Sequence, residues 1–158
     1  MKSASLNELK QELLTLPPKK VLEVCLRLVK FKKENKELLS FLLFDADNEN
    51  GYVETIKIEI DDNFSELPRI NWYATKKSLR KILRLIGKYS KHVANKDSEI
   101  EMLLHFCIKM KMLAHHFHYN QAFTNMFLQQ IKKLNVLVEL LHGDIRFDYK
   151  RQIDGLTE

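Results

Sequence analysis

With 158 residues, 45% of them apolar, the chain has the size and the apolar content of one ordinary domain, which excludes a disordered or linker-like polypeptide. Only 4 glycines and 3 prolines punctuate it, too few for a fold of many short strands and tight turns. The formal net charge of +5 is modest and does not by itself select nucleic acid as a partner.

No apolar run approaches the ~20 residues that a membrane-spanning helix needs. The opening MKSASLNELK lacks the apolar stretch of a secretory signal. Cys25 and Cys107 both sit among apolar residues at helical spacing and read as buried free thiols. These features together lead us to expect a cytoplasmic protein in a reducing compartment.

Ser5 and Glu8 form a capping-box pair ahead of a short helix over Leu6, Leu9, Leu13 and Leu14, which Pro17 ends. Pro18 suits the first turn of a second helix, where Val21, Leu22, Cys25, Leu28 and Val29 make one apolar stripe. A third helix is expected from Asn35 to Phe44, closed by the turn-rich DADNENG. Tyr52–Phe64 is ambiguous, because TIKIEI alternates as a half-buried strand would. Its flanks are acidic and the chain offers no partner strand, so helix is the expected state. ELPRIN breaks the chain at Pro68, and a long helix follows from Trp72 to about Val93.

Ser98 and Glu101 repeat the capping-box spacing before a helix containing Ile100, Leu103, Leu104, Cys107 and Ile108. The last clear helix is expected from Asn120 to Leu141, with Gly143 as its left-handed cap. Residues 144–158 then read as a partly ordered tail whose Phe147 and Tyr149 could dock back on the rest. KKVLEVCLRLVKF at 19–31 and KKSLRKILRLIGKY at 76–89 hint at internal repetition. The expected fold is thus all-α and a single domain over 1–158. It is an antiparallel helical bundle or a short HEAT-like α-solenoid of about six or seven helices.

Charge is distributed unevenly. Residues 45–68 hold eight acids against the single base Lys57, whereas residues 69–96 hold nine bases and no acid. On the long helix Lys77, Arg80, Lys81, Arg84, Lys88 and Lys91 share one broad face, opposite Leu79, Ile82, Leu83, Leu85 and Ile86. Like charges at i,i+4 repel, so this face wants a counter-charge. The leading expectation is neutralisation by Glu54, Glu59, Asp61, Asp62 and Glu66 of the acidic block, or by solvent and salt. The competing one is contact with a phosphate backbone through Lys77, Arg80, Lys81, Arg84 and Lys88, with Trp72 and Tyr73 available for stacking.

Signals for chemistry are weak. His105 and Cys107, two apart, point to different sides of a helix, and His115, His116 and His118 cluster near a helix end. Zinc would want an i,i+4 pair or a CxxC knuckle, so helix-end capping is the plainer reading of these histidines. Asp45, Asp47, Glu49 and Gly51 resemble a calcium loop, but glycine falls one place late and Ile56 stands where the bidentate glutamate belongs. No nucleophile elbow, phosphate-binding loop or dinucleotide fingerprint is present, so no catalytic residue, cofactor or metal is expected. Met102, Met110, Met112 and Met126 with Phe106, Phe117, Phe123 and Phe127 read as core filling, or, where exposed, as an adaptable partner surface.

The phrases LPPKKVLEVCLRLVKFKKENKELLSFLLF, KKSLRKILRLIGKY and LLHFC resemble small, all-helical, uncharacterised bacterial proteins over most of the chain. The resemblance implies a cytosolic bacterial protein and carries over no site residue. The functional expectation is a non-enzymatic module that binds a protein partner or itself, with no membrane; the alternative is a nucleic-acid binder using the basic helix at 72–93.

Overall fold

The chain begins as its sequence predicts. Ser5 Oγ accepts from the Glu8 amide and the Glu8 carboxylate accepts from the Ser5 amide, which closes the capping box at the start of α1 (Leu6–Thr15). The structure, a computed structural model, describes residues 3–158, and the described residues hold eight α-helices and no strand. The helices and their partners divide the chain into two compact units, Met1–Phe44 and Asp45–Glu158.

The first unit contains α1, α2 (Pro18–Phe31) and α3 (Lys33–Ser40), with α2 packed on α3. Pro18 occupies the first turn of α2, where its missing N–H leaves nothing unsatisfied. The helix expected over 35–44 starts earlier and changes character: α3 gives way to a π-helical turn over Phe41–Asp45 and a 3-10 turn over Ala46–Asn48.

The second unit is built around α6 (Lys96–Phe117), which packs on α4 (Glu49–Ser65), α5 (Trp72–Val93), α7 (Gln121–Val138) and α8 (Gly143–Thr157). Its buried residues run through Ile100, Met102, Leu103, Leu104, Phe106, Cys107, Met110, Leu113 and Phe117 and cover most of its circumference, leaving one strip with Ile108, Met112 and His115 exposed. A helix apolar over so broad an arc must be covered by several others, and this one is. Because α6 touches helices beyond its chain neighbours, the unit is a bundle rather than a stack of independent hairpins.

TIKIEI is helical. Val53, Ile56, Ile60 and Phe64 of α4 are buried at spacings of three and four, while Ile58 is exposed. Ile56 and Ile60 satisfy both a period of two and a period of 3.6, which is why the alternation misleads. Thr75, fully buried in the first turn of α5, donates from Oγ1 to the carbonyls of Pro68 and Asn71, tying the ELPRIN loop to the helix.

Three details depart from the sequence reading. The helix α6 starts at Lys96 under an Asn95 cap, so Ser98 is already inside it and donates to the Glu49 carboxylate rather than forming a capping box. Gly143 is left-handed at φ 62, but it opens α8 instead of closing α7, which ends at Val138. The segment read as a partly ordered tail is α8 itself: Ile153 is buried and Tyr149 half-buried, whereas Phe147 faces solvent.

Ala94, the C-cap of α5, sits at φ 54 and ψ 29, a left-handed conformation that its Cβ disfavours by about 1 kcal/mol. Replacing Ala94 by glycine therefore stabilises the protein by about 0.5–1 kcal/mol, seen as a higher urea midpoint with an unchanged slope.

Candidate functional site

The amphipathic pattern of α5 decides where its charges go. Thr75, Leu79, Ile82 and Ile86 are buried. Successive turns of about 100° per residue place Lys77, Arg80, Lys81 and Arg84 on the opposite side, pointing away from the core. All four are exposed, and among the described residues no carboxylate lies within ion-pair distance of any of them. Lys88 differs: it is half-buried, stands 4.4 Å over the Tyr89 ring and has a further partner, so it is not part of this unpaired row.

The expected neutralisation by the acidic block does not occur through ion pairs. Among the acids of α4, Asp61 bonds bases of α6 and Glu54 bonds a base of α4 itself; among the described residues none pairs with Lys77, Arg80, Lys81 or Arg84 of α5. Lys57 Nζ reaches Glu54 at 2.7 Å within α4 and Glu101 at 2.8 Å across to α6. Asp61 Oδ1 receives His105 Nε2 at 2.6 Å and Lys109 Nζ at 3.0 Å, both from α6. Where α4 meets α5, Glu59 accepts from the Tyr89 hydroxyl at 3.0 Å. Bases on the outer side of α5 cannot reach acids held at the edges of inward-packed helices.

A groove of about 270 Å³ lies between α5 and α7, lined by Lys76, Arg80 and Leu83 on one wall and by Asn125, Met126 and Gln129 on the other. The basic side of α5 also borders a hollow lined by Tyr73, Lys77 and Arg84. Further out on α7, Gln129 and Lys132 continue the polar surface. Neither Trp72–Val93 nor Gln121–Val138 contains an aspartate or glutamate, so packing has brought two acid-free helices together. Of the two aromatic residues expected to be available for stacking, Trp72 is packed on Phe117 and Phe123 at 5.7 Å, and Tyr73 is 82% exposed.

A second polar cleft, unforeseen from the sequence, lies among α4, α6 and α8 and is lined by Lys57, Glu101, His105, Tyr149 and Gln152. The Tyr149 hydroxyl donates to Glu101 at 3.4 Å; burial, then the nearby Glu101 and Asp97 charges, push it up to about 12. Desolvation pushes the Asp61 carboxyl up, but the bonds from Lys109 and His105 outweigh it and hold it below its ordinary value. His105 on the wall of this cleft is paired with Asp61, but no serine or cysteine lines it to serve as nucleophile, and its network reads as interhelical cross-bracing. Cys107 is buried, its thiol pushed up to about 12 by desolvation, and is inert; Cys25 is half-buried, and both are free thiols.

His115 Nδ1 bonds the Met112 carbonyl at 2.8 Å and His118 Nδ1 the His115 carbonyl at 3.1 Å, the capping role expected at the end of α6. Among the described residues no three His, Cys, Asp or Glu side chains converge to hold a metal ion. Asn48 in the acidic turn accepts from the Gly51 amide to start α4. Met102, Met110, Met126, Phe106, Phe117 and Phe123 are buried in the core, and Met112 is exposed. No described helix is long and apolar enough to cross a membrane. No protein-family model, curated protein or solved structure matches the chain.

Because Asp61 is depressed, its stabilising effect is present above the ordinary carboxylate value near ~3.9 and disappears as pH falls through the folded value. Asp61→Asn thus lowers stability by about 0.5–1 kcal/mol near neutrality, an effect kept small by partial exposure. Urea titrations of the two proteins should differ at about pH 7, and the difference should shrink as the pH is lowered below about 4.

Proposed function

We propose that the chain is a non-enzymatic interaction module that binds an apolar helical surface of another protein, a second copy included, through its first unit. The observation that carries this is the exposure of that unit's apolar side chains. None of the helices α1, α2 and α3 has a fully buried residue. Leu6, Leu9 and Leu13 line one side of α1, and Leu22, Leu26, Leu28 and Phe31 project from α2, every one of them exposed.

Scattered exposed leucines are ordinary, but two consecutive helices with so many exposed apolar side chains and no fully buried residue leave apolar surface of the kind that marks a protein contact. Such stripes at i, i+3 and i+4 are also what helix-on-helix docking uses. The charged residues between them, including Lys20 paired with Glu23 at 3.0 Å, form a polar rim. The absence of a nucleophile in the cleft at His105 and the inert state of Cys107 favour binding over catalysis.

A photoreactive cross-linker placed at Leu28 of the full chain tests this in cells and with the purified protein. We expect one discrete adduct, either a dimer or a defined heteromeric band. It should fall at least about tenfold in Leu22→Glu/Leu26→Glu, the loss expected when two apolar anchors are replaced by charges. A monodisperse monomer by light scattering that gives no discrete adduct would overturn the reading.

A further inference from the structure

We infer that the acid-free surface shared by α5 and α7 is a binding site for single-stranded nucleic acid, held by its phosphate backbone. Lys76 and Arg80 on the groove wall and Lys77 and Arg84 beside it supply the charge, and the side-chain amides of the groove supply hydrogen bonds. The inference is independent of the apolar unit, since it draws on no residue of α1–α3.

The first argument is electrostatic. Arg80 stands one turn from both Lys76 and Arg84, and Lys77 one turn from Lys81, at a rise of about 6 Å. Each like-charged i,i+4 pair is repulsive, and no carboxylate offsets the row. A polyanion with regularly spaced charges removes that repulsion and releases its condensed counterions at the same time. Arginine adds a planar fork that grips phosphate oxygens in pairs.

The second argument is the groove. Opposite Arg80 it offers the amides of Asn125 and Gln129, groups that donate as well as accept, and no acid to repel a phosphate. Its floor is Leu83 and Met126, an apolar strip that tolerates a sugar or base edge. At about 270 Å³ it is smaller than a usual small-molecule cavity and is an open furrow between two helices, a shape for a strand passing through.

The third argument is Tyr73. It stands in the first turn of α5, almost fully exposed, while its neighbour Trp72 is committed to the core. An exposed aromatic ring beside a basic row is the stacking platform that unpaired bases use, whatever their sequence. A base paired within a duplex has no free face to offer it. This favours a single strand.

The test is fluorescence anisotropy of the full chain with a labelled oligouridylate, its duplex counterpart and polyglutamate as competitor, across a salt series. We expect single-strand binding with a log–log salt slope of about −3, from four phosphate contacts at about 0.7 each. Arg80→Glu/Arg84→Glu should weaken it at least about tenfold and flatten the slope, and Arg80→Gln/Arg84→Gln should do the same to a lesser degree. Tyr73→Ala should lose about 5- to 10-fold with little change in slope. Lys96→Glu/Arg151→Glu, an equal change of charge outside the groove, should bind as the unaltered chain does. Circular dichroism should show the same helix content in every variant, all of these positions being exposed. Equal loss in the off-groove variant, tighter binding to the duplex, or displacement by polyglutamate at equal charge would each overturn the inference.

Discussion

Enclosure of α6 is the constraint on which the second unit depends. Ile100, Met102, Leu103 and Phe106 are completely buried and spread over a broad arc of one helix. Such a helix has no stable state in water by itself, and each neighbour that covers it must turn an apolar stripe inward. Ile56 and Ile60 of α4, Leu79 and Ile82 of α5, Leu134 and Val138 of α7 and Ile153 of α8 are those stripes. Fully burying one such side chain is worth about 1.5–3 kcal/mol, so the apolar interior far outweighs any single polar contact at its edges.

Enclosure also dictates the electrostatics. A helix that turns its apolar side to α6 must turn its opposite side to solvent, and in α5 that opposite side is basic. Asp61 and Glu54 flank the buried stripe of α4, close to α6, where Lys109, His105 and the Glu101-bound Lys57 meet them. Cross-bracing and charge display are therefore two results of one packing decision. These partly exposed pairs contribute little to stability individually, but they fix which edge of α4 lies against α6.

Much of this could be read from the chain. Ser5 with Glu8, Pro18, the break at Pro68 and the stripe of α5 each have a local physical cause, and each stands where that cause puts it. The start of α6 was missed because Asn95 and Ser98 are both competent caps three residues apart, and only tertiary contact with Glu49 commits Ser98 to another role. The tail DIRFDYKRQIDGLTE has weak helical periodicity, and its order as α8 comes from Ile153 and Tyr149 meeting the core, which no local signal encodes. The site was half legible. The basic row is plain in the sequence, but its lack of acidic partners depends on rotation about the axis of α5, and the companion helix α7 depends on topology. The Asp61–His105–Lys109 cluster joins residues from two helices and leaves no mark in either segment.

Local rules agree with the global fold nearly everywhere in the second unit, which makes the exceptions informative. An uncompensated row of like charges and a pair of helices with uncovered apolar stripes are both states that a chain selected only for folding would remove easily. One acidic substitution at Lys77 or Lys81 would convert repulsion into an i,i+4 attraction, and polar residues at Leu22 and Leu26 would hydrate the exposed stripe of α2. Neither change would disturb the enclosure of α6, because none of those side chains is buried. The retained costs are small in energy, and the fold gives them no structural purpose. That is the physical ground for reading both surfaces as places where the molecule meets something else.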